Sequence, residues 1–349
     1  MQYLIFCPKY RIKNNHIKPN SISIPFSAIG TLIFITTAGF RIYFYHIYAN
    51  VKEFTIFMHI STYYDCIFYS IGFIMNFVIS IAQSRNAISL VLIFQKIHRF
   101  LNSCVNTRRF IIQNWIITIT YFCGYMSFYA YMCIQMYNSF FIVFVSFIII
   151  SFDFNILYSI RMVNLLENKI VLWNARALYV ESSDAFDKGY SKEMLQIYVN
   201  ILKCYDLYKQ GFQHFMLYYI IDLFSHALIY IEVSIQVMFI GIKLNNYPVL
   251  ATVSIFGWLV KGLIWQTLLS QACEKFYIAV QNTEDTCAII LSSNCSDDNK
   301  KLCKNVLRLL RTSFSKISAC GLFYIDAALH VAHVTLLTNH VIVLLQFAL

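Results

Sequence analysis

Charge and helix breakers are both scarce in this chain. Charged residues occupy 13% of 349 positions, far too few to cover a soluble globule of that length. With 4 prolines and 10 glycines, no two apolar segments are interrupted at matching positions, as the broken helices of a secondary transporter would require. There is no glycine-rich phosphate loop, no paired metal-ligand motif and no nucleophile elbow, so no enzyme and no cofactor is read from the sequence. The 11 cysteines are odd in number and fall mostly in apolar runs or in loops expected to face a reducing compartment, which disfavours disulfides. Cys287, Cys295 and Cys303 recur every eight residues, whereas zinc ligands pair two to four residues apart.

What the chain has in abundance is apolar surface. Hydrophobic residues make up 59% and aromatic residues 17%, with a mean hydropathy of +0.60. A helix crosses about 30 Å of hydrocarbon with roughly 20 apolar residues, because lipid offers no partner to a bare amide. Seven such runs are present: Pro25 to Tyr48, Phe54 to Ala82, Gln113 to Gln135, Phe140 to Arg161, Phe215 to Ile242, Pro248 to Ser270 and Cys320 to Leu349. They are continuous instead of alternating every second residue, which excludes a barrel. The fold class expected is all-α, a polytopic membrane protein with seven transmembrane helices. Lys9, Arg11, Lys13 and Lys18 precede a first run that is too long for a signal core and has no small-residue cleavage site, so the first helix is expected to stay attached.

Basic residues near helix ends mark the cytoplasmic side. Arg85, Lys96, Arg99, Arg108 and Arg109 lie between the second and third runs with no acid among them. Seven bases lie from Arg161 to Lys209 and seven more from Lys275 to Lys316, while the three remaining loops hold only Lys52 and Lys243. The amino terminus is therefore expected in the cytoplasm and the carboxyl terminus outside. The net charge of +10 becomes a signal of topology and lipid headgroups, with no nucleic acid implied. Asn294-Cys295-Ser296 fits a glycosylation acceptor, but this topology keeps it inside and bare.

Two polar stretches extend the helices. Arg161 to Gln213 mixes acids, bases and apolar residues and suits cytoplasmic extensions of the fourth and fifth helices, joined by a loop through Glu181-Ser182-Ser183-Asp184 and Lys188-Gly189. Lys300 to Lys316 spaces Leu302, Val306, Leu309, Leu310 and Phe314 as one face of an amphipathic helix. Within the runs, Arg41, Asp65, Asp153, Asp222, Glu232, Lys261 and Asp326 are ionisable. An unpaired charge at the centre of a span costs roughly 2.5 to 3.5 kcal/mol, so these side chains should face inward. Either they pair with one another structurally, with Lys261 or Arg41 as the cations, or they contribute to a site. Tyr63, Tyr64, Tyr125, Tyr129, Phe144, His226, Tyr230, Gln236 and Trp258 lie nearby in the expected bundle, and aromatic walls with a few polar groups suit a small organic ligand. The same rings would also suit an interfacial aromatic belt. His330, His333 and His340 could hold a metal by spacing, but hydrogen-bonded neutral histidines inside a bundle are the favoured reading.

The last helix ends in Asn339-His340, five apolar residues and Gln346-Phe347. This resembles the seventh-helix signature of insect gustatory receptors, Thr-Tyr, five hydrophobic residues and Gln-Phe, with Asn339 and His340 in place of Thr and Tyr. The run from Ala319 through Gly321, Phe323 and Asp326 resembles the segment that leads into that helix in the same family. The resemblance covers about the last thirty residues. It implies a ligand-gated, non-selective cation channel in the plasma membrane of sensory neurons, a homotetramer or a heteromer with other gustatory receptors. Its partners would be a small-molecule tastant, permeant cations and membrane lipids.

The family's organisation implies residues 1–24 as a cytoplasmic arm, 25–270 as six helices with a ligand pocket, 271–319 as a cytoplasmic loop with an anchor helix, and 320–349 as the pore-lining helix. Pore and gate residues would then be Gln346, Phe347, Val343 and Leu344. The pocket would draw on Tyr64, Asp65, Tyr125, Tyr129, His226, Tyr230, Glu232, Gln236 and Trp258. Val341 stands where the sweet-taste branch places Glu, so a bitter plant compound is favoured over a sugar. A fructose-type gustatory receptor and an odorant receptor channel remain alternatives. A G-protein-coupled receptor is disfavoured because no Asp-Arg-Tyr ends the third run, no Asn-Pro-x-x-Tyr lies in the last, and the topology is inverted.

Overall fold

A computed structural model describes residues 11–13, 16–18, 23–48, 56–101, 104–135, 140–181, 188–241, 247–293 and 296–348. Asn294, Cys295 and residues 182–187 lie outside this set. So do the side chains of Arg41, Phe144, Gln236 and Phe347.

A short antiparallel hairpin, β1 (Arg11–Lys13) and β2 (His16–Lys18), precedes the helices. Nine helices follow among the described residues: α1 (Ser23–Tyr48), α2 (Ile56–Ala82), α3 (Ser84–Leu101), α4 (Cys104–Gln135), α5 (Phe140–Glu181), α6 (Lys188–Gly241), α7 (Tyr247–Ser292), α8 (Asp297–Ser313) and α9 (Ala327–Ala348). Five stretches of these helices are long and apolar enough to cross a membrane. The expected runs correspond to α1, α2, α4, parts of α5, α6 and α7, and α9. The scarcity of Pro and Gly has its consequence here: α5, α6 and α7 run 42, 54 and 46 residues. At 1.5 Å per residue α6 is about 80 Å long, more than twice the hydrocarbon thickness.

Two kinds of surface result. Toward one end α1, α2, α4 and α7 expose Leu32, Ile67, Ile71, Ile116, Ile117, Val260 and Ile264, side chains that suit lipid. At the other end α5, α6, α7 and α8 bury Trp173, Tyr198, Tyr205, Tyr208, Phe276 and Val306 almost completely. Some polar groups inside this core are paired: Trp173 Nε1 donates to the Met194 carbonyl at 2.9 Å, and the Ser159 and Tyr208 hydroxyls lie 2.6 Å apart. Mixed apolar and polar sequence from Arg161 to Gln213 is thus read correctly as helical extension. Glu181 closes α5 and Lys188-Gly189 open α6, so these three residues are helical, in contrast to the loop expected of them.

Residues 84–101, expected as a basic loop, form helix α3. Its apolar stripe is narrow, with Leu90, Ile97 and Leu101 buried and its bases near the polar edge. Lys169 Nζ sits 3.0 Å from His98 Nδ1. Burial first, then the Lys169 ammonium, lowers the His98 pKa, which keeps the ring a neutral acceptor for that lysine. Arg176 donates to the Phe100 carbonyl at 2.8 Å. Together these contacts dock α3 on α5.

Close approach is needed where α2 crosses α5 and α6. A Cβ on Gly72 would collide with the rings of Tyr218 and Phe152. Gly72→Ala is therefore expected to cost about 1–3 kcal/mol by overpacking, read as a lower midpoint of thermal unfolding in detergent.

The amphipathic segment is α8, which starts and ends about three residues before the bounds expected. The Ser296 hydroxyl caps it by accepting from the Asn299 amide at 3.4 Å, and Asp297, Asp298 and Arg311 complement its dipole. Leu302, Cys303, Val306 and Leu310 face inward. After α8 the last helix does not begin at Cys320, as expected, but at Ala327. Cys320 (φ 51°) and Gly321 (φ 80°) are left-handed, a conformation a right-handed helix cannot continue through. A tight turn replaces the helix there, with Ala319 donating to the Phe323 carbonyl at 2.8 Å and Ile325 to the Ile317 carbonyl at 2.9 Å. Asp326, expected as an intramembrane charge, instead caps α9: its Oδ1 accepts from the Ala328 and Leu329 amides at 3.1 and 3.3 Å, and Lys316 lies 3.3 Å from Oδ2.

Candidate functional site

Helical phasing gathers the ionisable residues of the apolar half. Asp222, His226 and Tyr230 follow at i, i+4 and i+8 on one face of α6. Tyr64, Asp65, Phe68 and Tyr69 share a face of α2, and Trp258 and Lys261 are one turn apart on α7. Where these faces meet, His226 is fully enclosed and Asp65 and Asp222 are buried. His226 Nδ1 lies 2.8 Å from Asp222 Oδ1, and Nε2 lies 3.2 Å from Asp65 Oδ1. Tyr230 donates its hydroxyl to the same Asp65 oxygen at 2.9 Å. Nδ1 also lies 3.0 Å from the Asp222 carbonyl, so the ring is held between polar groups of α6 and α2.

Aromatic rings enclose the imidazole. Tyr69 stacks on it at 5.0 Å between centroids, Tyr64 and Phe68 present edges at 5.0 and 5.6 Å, and Tyr230 and Trp258 each lie 5.4 Å away. The walls exclude water and so strengthen each charge contact inside them.

A second ionic group adjoins the first. Lys261 Nζ is 2.9 Å from Asp153 Oδ2, which also accepts from the Tyr121 hydroxyl at 2.6 Å. The ammonium stands over the rings of Tyr125 at 5.3 Å and Trp258 at 5.9 Å, and Tyr129 packs on Tyr125 at 4.6 Å. A cavity of about 20 Å³ joins the groups, lined in part by Tyr69, Asp153, Asp222, Trp258 and Lys261. That is room for one water and not for an organic ligand, so a ligand must move side chains to enter. A larger cavity of about 50 Å³ lies at the corner between α2 and α3, bounded by Asn76, Gln83, Asn86 and Phe212. It has no acidic or basic side chain in its lining and shares no residue with the first.

Tyr64, Asp65, His226, Tyr230 and Trp258 come together as one cluster, and Tyr125 and Tyr129 belong to the adjoining Lys261 group. Glu232 does not join them: six residues beyond His226, it lies about 240° around the helix. Of the ionisable residues noted earlier, Asp153 pairs with Lys261 and Asp222 joins the His226 cluster. Phe68 and Tyr69 were missed, although their spacing from Tyr64 and Asp65 carried the signal. On α9, His330 lies 3.1 Å from the Thr267 hydroxyl, as expected of a bundle histidine. His333 is buried against Phe224, and neither of its ring nitrogens has a hydrogen-bond partner among the described residues. No group of three or more potential metal ligands occurs among the described residues. Gln346, Val343 and Asn339 are exposed and Leu344 and His340 half-buried. Gly321 and Phe323 lie in the turn that precedes α9.

No family model matches the chain, and no curated protein resembles it in sequence. The solved structures do provide a likeness. The insect olfactory receptor OR5 from Machilis hrabei superposes with a TM-score of 0.62 at 12% identity, covering 99% of this chain and 96% of that one. The same receptor in complex with eugenol gives 0.57 at 12% identity over the same shares. The chain therefore has the fold of an insect olfactory receptor along nearly its whole length.

Proposed function

We infer that the chain is a subunit of a ligand-gated, non-selective cation channel of the insect gustatory receptor kind, and that it detects small-molecule tastants. The observation that carries this reading is the likeness to an insect olfactory receptor over 99% of the chain. Taste is favoured over smell by the carboxyl-terminal pattern of Asn339-His340, five apolar residues and Gln346-Phe347. An odorant receptor channel fits the fold equally well. The cluster around His226 is the ligand pocket in this reading, as eugenol is a small organic ligand of the structural neighbour. A bitter plant compound is the favoured tastant, and a fructose-type receptor is the alternative.

Seven crossings are made by α1, α2, α4, the first part of α5, the last part of α6, the first part of α7, and α9, with the amino terminus inside. Only 11% of the apolar window of α9 is buried, against 72% for that of α5. Such a helix requires other covering, and in a tetramer the α9 helices of four subunits line one pore. Gln346 then supplies a ring of amides to permeant cations, with Val343, Leu344 and Phe347 beside it as the apolar gate. Ligand opens the gate by binding the open form more tightly than the closed.

Tags at each terminus of the chain expressed in cells test the topology. Labelling of the carboxyl-terminal tag alone in intact cells is expected, and the reverse pattern overturns the channel reading. In patch-clamp recordings, Gln346→Ala is expected to change cation selectivity or unitary conductance at unchanged surface expression. Unaltered single-channel behaviour removes Gln346 from the pore.

A further inference from the structure

We propose that the contact between His98 and Lys169 is a proton-operated latch, which holds α3 on α5 while the imidazole is neutral and releases it when the ring takes up a proton. Its basis is a buried lysine that lacks an acid. Lys169 is 4% exposed, yet it makes no ion pair with a carboxylate among the described residues. Its Nζ instead meets His98 Nδ1 at 3.0 Å and stands 5.9 Å from the centre of the Phe94 ring. An ammonium only donates, so the contact uses the lone pair of Nδ1 and leaves the ring proton on Nε2. A second proton removes that lone pair and sets two positive charges 3.0 Å apart, where burial of the lysine limits screening by water.

The surroundings offer nothing to absorb that repulsion. No acid occurs before Glu53 or between Asp65 and Asp153, so α3 itself and the amino-terminal hairpin that packs on it bring none. The acid of α2, Asp65, is engaged with Tyr230 and His226. On α5, Glu167 lies about 200° around the helix from Lys169, beside the charge of Lys275, and Arg176 adds a further cation at the Phe100 carbonyl. Lys96 and Arg99 flank His98 and are exposed. From α6, Tyr190 packs on Phe100 at 5.7 Å, Cys204 donates to the Leu90 carbonyl at 3.7 Å, Asp206 pairs with Lys209 at 3.5 Å, and Glu193 is exposed. Burial and the Lys169 ammonium both lower the His98 pKa. A ring that binds its proton less well docked than undocked favours docking above the ordinary histidine pKa of about 6.5, and that contribution is lost as pH falls below it. Helix α3 joins α2 to α4. Acid on its side of the bilayer, the cytoplasm in the topology proposed above, therefore loosens the segment between two helices of the apolar half.

The test is hydrogen exchange of the full-length protein in lipid nanodiscs, compared about one pH unit above and one below the ordinary histidine pKa of about 6.5. Rates are corrected for the intrinsic pH dependence of exchange and referred to the α5 and α6 core. Over that interval docking of α3 is expected to weaken by up to about tenfold, read as faster exchange from Leu90 to Leu101. His98→Gln keeps an amide oxygen for the Lys169 ammonium and does not titrate, so its α3 exchange is expected to be the same at both pH values. In Lys169→Met the ammonium is gone and the acid response is expected to shrink. Wild-type α3 exchange that does not accelerate in acid, or a full acid response retained in His98→Gln, overturns the proposal. If His98→Gln does not fold, Lys169→Met decides, because an undiminished response there assigns the effect to another group and overturns the latch. Exchange is read without ligand or current, so the latch stands or falls apart from the channel reading.

Discussion

Lys261→Ala is expected to produce the largest loss of stability of any single change in the apolar half of the molecule. The ammonium is 2.9 Å from Asp153 Oδ2, and the carboxylate is 6% exposed. Removing one partner of a buried ion pair leaves the other charge without compensation, at a cost of about 3–5 kcal/mol. Asp153 would keep only the Tyr121 hydroxyl among the bonds described above, and one neutral donor does not offset a buried negative charge. The double replacement Lys261→Met with Asp153→Leu removes both charges and refills the space, so most of the loss should be recovered. Thermal unfolding of the single and double variants in one detergent checks this. If the double variant is as unstable as Lys261→Ala, the loss comes from the contacts of the Lys261 ammonium with the Tyr125 and Trp258 rings, and not from the ion pair with Asp153.

This ion pair also illustrates how far the sequence could be read. Lys261 and Asp153 lie in apolar runs where an unpaired charge is costly, so their inward orientation and a role as partners follow from composition alone. Which acid Lys261 chooses does not, because Asp65, Asp222 and Asp153 all meet the same rule and only the crossing of α5 with α7 selects among them. The long helices were legible because their apolar runs are strong and lack breakers. Helix α3 was not, since its bases mask a stripe of only Leu90, Ile97 and Leu101. The turn before α9 was hidden for a different reason. Ala319 to Asp326 is apolar and aromatic enough to continue a span, and one glycine does not announce the left-handed pair at Cys320 and Gly321. Gathering of the rings around His226 was partly legible: Asp222, His226 and Tyr230 repeat every fourth residue and Tyr69 lies one turn from Asp65, but that these two faces meet needed the crossing of α2 with α6.

Tyr277→Phe is expected to release the turn that carries α9. The phenol of Tyr277 accepts from the Ile317 amide at 3.0 Å and donates to the Ile325 carbonyl at 3.0 Å, so one hydroxyl on α7 joins both arms of the turn. Removing it strips a donor and an acceptor from buried backbone groups, at about 1–3 kcal/mol for each group left unsatisfied. Ile317 and Ile325 still share the bond between the Ile325 amide and the Ile317 carbonyl, and Phe314 remains packed among Tyr205, Phe276 and Tyr277. The loss is therefore local: hydrogen exchange should accelerate from Ser315 to the first turn of α9 while the α5 and α6 core stays protected. Tyr205→Phe, which gives up one bond to the Ser315 carbonyl, should show the same pattern more weakly. Unchanged exchange in Tyr277→Phe would assign the hold to aromatic packing alone. In the channel reading the same variant has a functional consequence. This turn is the covalent link of α9 to α8, and it adds hydrogen bonds to α7 beside the contact of His330 with Thr267. Motion of α7 beside Trp258 and Lys261 reaches α9 through that link, so loosening it should raise the ligand concentration needed for half-maximal current while leaving unitary conductance unchanged.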